Sequence, residues 1–288
     1  MTKACFKVLM ENPSLLVFPV ASMVATTILI LGFLGFTIST LVLSTFMTGG
    51  GEVVLALNII GWIVIYYATV FVAIFSNVAI VGSAGMMLDG KKPTVSDGFR
   101  VAMSRIGPIL GWTLLTGTVS LIIQAIQSRS GNLGKIVMGI IGIAWTILTY
   151  FVVPIIVYEG LGPFQAVKRS TMVLKKIWGE SLVTNFGIHM VISIALIVLV
   201  VAMLPLAFIA ISVNPLLLVF VIGLFIVLFA AISLIGAALK GILMAALYRY
   251  AKTGRAGFGI SKESLNGMFT PEGSGPMFGR RTRNYGRF

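Results

Sequence analysis

The chain has 288 residues, of which 58% are hydrophobic and 10% are charged, and its mean hydropathy is +1.06. A chain with so little polar surface cannot be a soluble globular protein. Its formal net charge of +13 would be compatible with nucleic-acid binding, but the positions of the charges along the chain argue against that interpretation.

Six long apolar stretches follow one another along the chain. Each reaches or exceeds the roughly 20 residues that a helix needs to cross the hydrocarbon core of a bilayer. They comprise residues 15–47, 53–88, 106–126, 136–158, 182–213 and 216–248. The longest must tilt, kink or protrude, and Pro205 and the pair Gly32 and Gly35 are the predicted bending points. The sequence therefore predicts an all-α polytopic membrane protein with six transmembrane helices.

The basic residues lie almost entirely on one side of these stretches. Of the 21 Lys and Arg residues, 18 precede the first stretch, follow the sixth, or lie in the second and fourth connections. The opposite connections hold only Arg129 and Lys135, and Lys240 lies within the sixth stretch. The positive-inside rule then predicts a multi-pass protein of the cytoplasmic (inner) membrane with both termini in the cytoplasm.

The two basic connections resemble each other. The segment from Asp89 to Pro93 aligns with the segment from Glu159 to Pro163 at an offset of 70 residues, and both contain an acidic residue followed by Gly. A short amphipathic segment follows each Pro, over Val95–Ser104 and residues 164–176, and residues 3–12 form a third candidate. Such segments lie flat in the headgroup region of a membrane. We therefore predict two or three interfacial helices on the cytoplasmic side.

The second of these connections also carries a family resemblance. The run from Tyr158 to Ser170, followed by Ile177-Trp178-Gly179-Glu180, resembles a prokaryotic six-span membrane protein family of uncharacterised function. More distantly, it is similar to the membrane domain attached to some glycerophosphoryl diester phosphodiesterases, whose soluble catalytic domain has no counterpart here. The resemblance covers roughly residues 1–252 and implies a fold and a topology but no activity.

Four of the polar residues within the apolar stretches are candidates for an intramembrane site. Asn185 and His189 share one helical face of the fifth stretch, Asn77 lies in the second and Lys240 in the sixth. Such residues are functional candidates, but a hydrogen bond to a neighbouring helix, worth about 1 kcal/mol or less, is the interpretation we favour. No second histidine or membrane-buried carboxylate completes a relay, and with one histidine and one cysteine we expect no metal or cofactor.

A second group of candidates consists of basic residues on the cytoplasmic side. They are Lys168, Arg169, Lys175 and Lys176 in the second amphipathic segment, and Arg280, Arg281, Arg283 and Arg287 in a tail. We divide the chain into a transmembrane domain, residues 1–251, and this basic tail rich in Gly, Arg and aromatic residues, residues 252–288. Attraction to anionic lipid headgroups is the first interpretation, at about 1 kcal/mol per basic residue. Docking onto a protein partner comes second, and nucleic-acid binding, which we do not expect, comes third.

Small residues on the sixth stretch offer another contact surface. Ser233, Ala237, Gly241 and Ala245 repeat every four residues, a spacing that lets helices approach closely. This face either closes the bundle of one chain or binds a partner, including a second copy in a homo-oligomer. The sequence contains no Ser-His-Asp arrangement, P-loop or dinucleotide motif, and we expect no enzyme. The predicted function is an accessory or scaffolding subunit of a membrane protein complex. The alternative is a carrier or channel for a small molecule or lipid.

Overall fold

The computed structural model describes residues 2–46, 51–176 and 178–253, and it describes side chains over residues 5–44, 51–175, 191–214 and 216–253. Within these ranges the chain is helical throughout apart from short turns, and no strand is formed. A 3-10 helix, Pro13–Leu16, leads into the second of the α-helices. The α-helices are α1 (Thr2–Glu11), α2 (Val17–Phe46), α3 (Gly51–Leu88), α4 (Val95–Ser104), α5 (Ile106–Arg129), α6 (Asn132–Leu148), α7 (Val152–Glu159), α8 (Pro163–Lys176), α9 (Trp178–Val213) and α10 (Pro215–Thr253).

Six segments of the described residues are long and apolar enough to cross a membrane. They are Pro13–Ser44, Gly51–Leu88, Ile106–Arg129, Asn132–Glu159, Val191–Val213 and Leu216–Thr253. The predicted all-α, six-span membrane protein is therefore confirmed. Neighbouring spans form three hairpins, α2 with α3, α5 with the α6–α7 pair, and α9 with α10, and the hairpins pack on one another mainly through α3.

The two aligned acidic-glycine turns have the same role in the fold. Gly90 has a φ of 77° and ends α3, and Gly160 has a φ of 66° and ends α7. This left-handed conformation is accessible to Gly at no steric cost. After α3, the Lys91 N–H donates to the Met86 carbonyl at 3.0 Å, which satisfies one of the helix's last carbonyl groups. Each turn thus stops a spanning helix and leads toward a short amphipathic helix.

The helix that follows the first turn, α4, begins with a capping box. The Thr94 hydroxyl accepts from the Asp97 N–H at 3.3 Å, and the Thr94 N–H donates to the Asp97 carboxylate at 2.9 Å. Two N–H groups at the helix start are satisfied in this way. Hydrogen bonds from the backbone N–H and the hydroxyl of Thr94 lower the pKa of the Asp97 carboxyl.

All three predicted amphipathic segments are helices, as α1, α4 and α8. Residues of α1 and α8, such as Leu9 and Leu174, belong to the same buried core as α3, α7 and α10. The three short helices lie at the end of the bundle where α3, α7 and α10 terminate. We call this the packed end, and we call the opposite half, where the three hairpins turn, the open half.

The fourth span is interrupted at residues 149–151, between α6 and α7. Pro154 explains the interruption, because it has no N–H and its ring would clash with the Tyr150 carbonyl in a continuous helix. The Phe151 N–H donates instead to the Ser170 hydroxyl of α8 at 3.1 Å, and both residues are fully buried. The break therefore attaches the fourth span to an amphipathic helix.

The bending predicted at Gly32, Gly35 and Pro205 does not take the form of a helix break, and as bending it stays a prediction. Helix α2 runs without interruption through Gly32 and Gly35, and α9 runs without interruption through Pro205. A proline inside a helix removes one hydrogen bond, but neighbouring groups in a membrane can compensate for that loss. In the fourth span, the Ser170 hydroxyl compensates for the break by accepting from the Phe151 N–H.

Candidate functional site

The most connected polar residue at the packed end is Glu159, the last residue of α7. Its side chain is only 17% exposed. One carboxylate oxygen, Oε1, accepts from the Tyr248 hydroxyl at 2.6 Å, and Oε2 lies 3.2 Å from Arg169 Nε. Lys252 Nζ lies 3.7 Å from Oε1. One carboxylate thus joins α7, α8 and α10.

A third cation lies beside the same turn. The guanidinium of Arg105, at the start of α5, occupies the space that a side chain at position 160 would need. Glycine at this position therefore serves two purposes: it adopts the positive φ, and it leaves room for the guanidinium. The residues around this turn are called the Glu159 cluster below. They are Arg105, Glu159, Arg169, Tyr248 and Lys252.

A second ion pair repeats this arrangement at the first acidic-glycine turn. Asp89 Oδ1 lies 2.6 Å from Arg249 Nη1. The ring of Tyr158 stacks on that of Tyr248, with centroids 5.3 Å apart and planes inclined by 3°. The acidic residue of each turn therefore binds the last turns of α10. The aligned residues Asp89 and Glu159 have the same structural role.

A small cavity opens next to the Glu159 cluster, between α8 and α10. Its volume is about 180 Å³. The lining residues are Arg169, Met172, Val173, Tyr248, Ala251 and Lys252. Two cationic side chains therefore face a space large enough for a small anion. Within the described part of the chain, no group of three or more His, Cys, Asp or Glu residues could hold a metal ion.

The basic residues predicted for lipid or partner contact separate into two kinds. Arg169 points into the Glu159 cluster, whereas Lys168 and Lys175 are exposed on the surface of α8. The other predicted basic residues are not among the described side chains. Lys176 belongs to α8, but its side chain lies outside the described residues, as do Arg280, Arg281, Arg283 and Arg287 of the tail. Helix α10 continues through Lys252 to Thr253.

The predicted intramembrane polar residues are not brought into one site by the described part of the structure. Asn77 and Lys240 are half-buried on α3 and α10, and no hydrogen bond joins them within the described residues. Asn185 and His189 lie on α9, but their side chains are outside the described residues. Their role as a polar path or as helix-packing groups stays a prediction.

Other polar side chains within the spans connect helices. Tyr66 of α3 donates to the Gly117 carbonyl of α5 at 3.2 Å, and the Tyr67 and Thr118 hydroxyls lie 2.8 Å apart. Asn58 of α3 donates to the Thr40 hydroxyl of α2 at 3.1 Å. Hydrogen bonds of this kind contribute about 0.6 kcal/mol each to helix association in membranes. These residues therefore act in packing.

The small-residue face of α10 is used inside the chain. Gly241 is buried, and Ile80 of α3 lies where a Gly241 side chain would project. On α5, Gly111 lies against the ring of Pro163, the first residue of α8, at 3.1 Å from the position of a Cβ. Close approach of helices at these positions builds the packed end.

Sequence reasoning missed the role of Glu159 as the centre of the cluster. The sequence does contain a pattern that could have pointed to Glu159. The chain has only 8 acidic residues, and two of them, Asp89 and Glu159, occupy aligned positions before Gly. The sequence does not show that both carboxylates reach α10, since Tyr248 and Lys252 are 89 and 93 residues away from Glu159 along the chain.

Six spanning helices, joined at one end by amphipathic helices and an ionic cluster, define a multi-pass membrane protein. The chain belongs to DUF6159, a family of unknown function, whose sequence model matches residues 51–258, more than half of the chain. This match begins at α3, so that α1 and α2, which the resemblance in the sequence included, lie outside it. No curated protein and no solved structure matches the chain. The distant similarity to the phosphodiesterase membrane domain and the prokaryotic origin stay predictions.

Proposed function

We propose that this protein is a non-enzymatic accessory or scaffolding subunit of a membrane protein complex, located in the cytoplasmic (inner) membrane. One observation carries the proposal. The ionic groups at the packed end fasten the chain's own helices, whereas the open half leaves long apolar helix faces that the described chain does not cover. A protein built in this way has a rigid base and free helical surfaces for neighbours.

The free surfaces are extensive. Helix α6 has no buried residue along its whole length, and residues 216–235 of α10 include none either. Ile136, Ile140 and Ile143 on α6 are each about 60% exposed. In a bilayer such faces contact lipid tails or another helix, and helix association there depends on van der Waals packing. Three hairpins with uncovered faces provide several places for a partner helix.

Copurification tests this proposal. The full-length protein, tagged and extracted in a gentle detergent from its own membrane, should elute with another membrane protein at constant stoichiometry in mass spectrometry. A control truncated after Thr253 removes the predicted basic tail but keeps α10 and the Glu159 cluster. If association depends on helix faces, the truncated protein retains its partner. Elution of the full-length chain as a lone monomer would contradict the proposal.

We also propose that both termini face the cytoplasm, as the distribution of basic residues predicts. The single cysteine allows a direct test. Cys5 is fully buried, and burial raises the pKa of its thiol to about 11, so the native chain should react slowly with maleimides. Lys92 and Asn132 are exposed and lie at opposite ends of the bundle, so a cysteine introduced at either position shows which side of the membrane that end faces. We expect an impermeant maleimide to label Asn132→Cys in intact cells and Lys92→Cys only after lysis; the reverse would invert the orientation.

The alternative function is a carrier or channel for a small molecule or lipid. Two observations favour this alternative, and the second of them, an apolar groove, points to a lipid. The fourth span is interrupted, as helices at transporter sites often are. In addition, an apolar groove of about 710 Å³ lies between α1, α9 and α10, within the range of about 300–1,000 Å³ typical of ligand sites. Vesicles reconstituted with the purified protein should then move labelled phospholipid between leaflets faster than protein-free vesicles. Equal rates would contradict this alternative.

A further inference from the structure

We propose that the Glu159 cluster binds the phosphate of an anionic phospholipid headgroup, held between α8 and α10. The proposal concerns a site for one lipid molecule, distinct from general attraction of the basic surface to the membrane. It does not depend on whether the protein is an accessory subunit.

The charge balance of the cluster is the first argument. One carboxylate, Glu159, faces the cations of Arg169 and Lys252, and the Arg105 guanidinium lies against the adjoining Gly160. A single negative charge cannot balance three positive charges. A second anion beside Glu159 would therefore be attracted, and its charge would be less screened there than on an open surface because the site is partly buried.

The donors at the cavity still have capacity for a second acceptor. Arg169 uses Nε and Nη2 toward Glu159, which leaves further N–H groups of its guanidinium. Lys252 Nζ lies 3.7 Å from Glu159, which is too long for a hydrogen bond, and it makes none within the described part of the chain. An ammonium group offers three donors. Both cations can therefore donate to a phosphate without releasing Glu159.

The shape of the cavity limits the ligand. Its volume of about 180 Å³ is below the roughly 300–1,000 Å³ of typical small-molecule sites, so it suits a phosphate group with a small attached segment. Besides the two cations and Tyr248, its walls are Met172, Val173 and Ala251. A site that is cationic on one side and apolar on the other matches the boundary between the phosphate and the glycerol of a phospholipid.

The position of the cavity identifies the source of the phosphate. Glu159 and Thr253 are the last residues of two spanning segments, so the cavity lies at the depth where headgroups begin. The side chains of Arg169 and Lys252 are 41% and 55% exposed, which leaves the cavity open to its surroundings. Helix α8, which forms one wall, is amphipathic and suited to the membrane surface. A bilayer lipid can therefore reach this site from the side.

Lipid binding to the full-length protein in neutral detergent tests the proposal. Phosphatidylglycerol and phosphatidylcholine are compared by the increase in thermal unfolding temperature, at about 0.5 M salt to screen general surface attraction. The native protein should prefer phosphatidylglycerol. Lys252→Gln should weaken this binding about fivefold, which corresponds to the roughly 1 kcal/mol expected for one basic contact. Lys175→Gln, at an exposed position of α8 that does not line the cavity, is the matched control and should bind as the native protein does.

A second variant gives an effect of opposite sign. Glu159→Gln removes the competing carboxylate, so phosphatidylglycerol should bind more tightly even though the fold is weakened. Three results would overturn the proposal: equal losses in Lys252→Gln and Lys175→Gln, an absence of preference for phosphatidylglycerol, or weaker binding in a folded Glu159→Gln variant. If inorganic phosphate alone stabilises the native protein as strongly as the lipid does, the site takes a free anion and the lipid assignment is wrong.

Discussion

Helices α3 and α10 each have two halves that are packed differently, and in α10 the more apolar half is the one that is not buried. None of residues 51–73 of α3 is buried, whereas ten of the twelve residues from 74 to 85 are. In α10, none of residues 216–235 is buried, and between residues 236 and 248 only Ala237 and Lys240 are not. Hydrophobicity thus places a helix in the membrane, but it does not decide which part of the helix packs against the chain.

Side-chain size accounts for the difference. The unburied half of α10 consists largely of Leu, Val, Ile and Phe, whereas its buried half contains several small residues. Those small residues are Gly236, Ala237, Ala238, Gly241, Ala245 and Ala246. Small residues allow the close approach on which helix packing in lipid depends. The ionic groups at the same end then fasten helices that are already close.

The largest expected difference between the halves concerns their apolar packing. Ile155 of α7 is fully buried at the packed end, whereas Ile143 of α6 is 63% exposed in the open half. Ile155→Ala should lower the free energy of unfolding by about 2–5 kcal/mol because it leaves a cavity. Ile143→Ala should change it by less than about 0.5 kcal/mol. Denaturant unfolding of both variants in detergent measures the contrast.

Similar losses in the two variants would break the comparison. They would mean that the open half is also buried in the solubilised protein, against a copurified partner or a second copy of the chain. Measuring the mass of the detergent complex for both variants distinguishes these cases. A loss confined to Ile155→Ala supports a fold that depends on the packed end alone.

The next effect concerns the ionic groups. Glu159→Gln should lower the free energy of unfolding by about 1.5–3 kcal/mol, because the charged acceptor of Tyr248 and Arg169 is lost. Glu52, exposed in the first turn of α3 in the open half, provides the matched control. Glu52→Gln should leave the unfolding free energy nearly unchanged. If both variants behave alike, the Glu159 cluster contributes no more than a surface ion pair.

Much of the fold could be predicted from the sequence, because hydrocarbon as a solvent restricts the chain to long apolar helices. The six spans, the amphipathic helices and the equivalence of the turns at Gly90 and Gly160 all follow from local patterns. The interruption at residues 149–151 was not predicted, although Pro154 is visible in the sequence. Whether a helix separates at a proline depends on partners for the backbone groups that the break exposes. The partner of the Phe151 N–H, Ser170, is 19 residues away along the chain.

The candidate site was harder to predict than the fold. Arg169 was predicted, together with Lys168 and Lys175, to contact lipid or a partner. Of these three residues, only Arg169 points into the Glu159 cluster. Helical periodicity gives the face of a residue relative to its own helix. It does not give the rotation of that helix against α7 and α10, which depends on packing between segments distant in sequence. The ion pairs of the packed end could therefore not be assigned from spacing.

A smaller effect is expected at the edge of the packed end, in the capping box of α4. Thr94→Ala removes the hydroxyl that accepts the Asp97 N–H and should cost about 1 kcal/mol of unfolding free energy. Ser104→Ala, at the other end of the same helix, removes a hydroxyl that donates to the Val101 carbonyl of its own helix and should have a lesser effect. Thermal unfolding of the two variants measures the difference. Equal effects would show that α4 depends on its packing against α3 and not on its cap.

The smallest effect is a pH dependence at the same cap. Hydrogen bonds from Thr94 lower the pKa of Asp97, so its carboxylate stabilises the folded state above the unfolded-state pKa of about 3.9. That stabilisation is lost as the pH falls through the lower, folded-state value. The unfolding temperatures of the native protein and of Asp97→Asn should therefore differ near neutral pH and converge in acid. All other carboxylates are common to both proteins, and their titration cancels in the comparison. A difference that stays constant at low pH would show that Asp97 stabilises α4 through its shape and not through its charge.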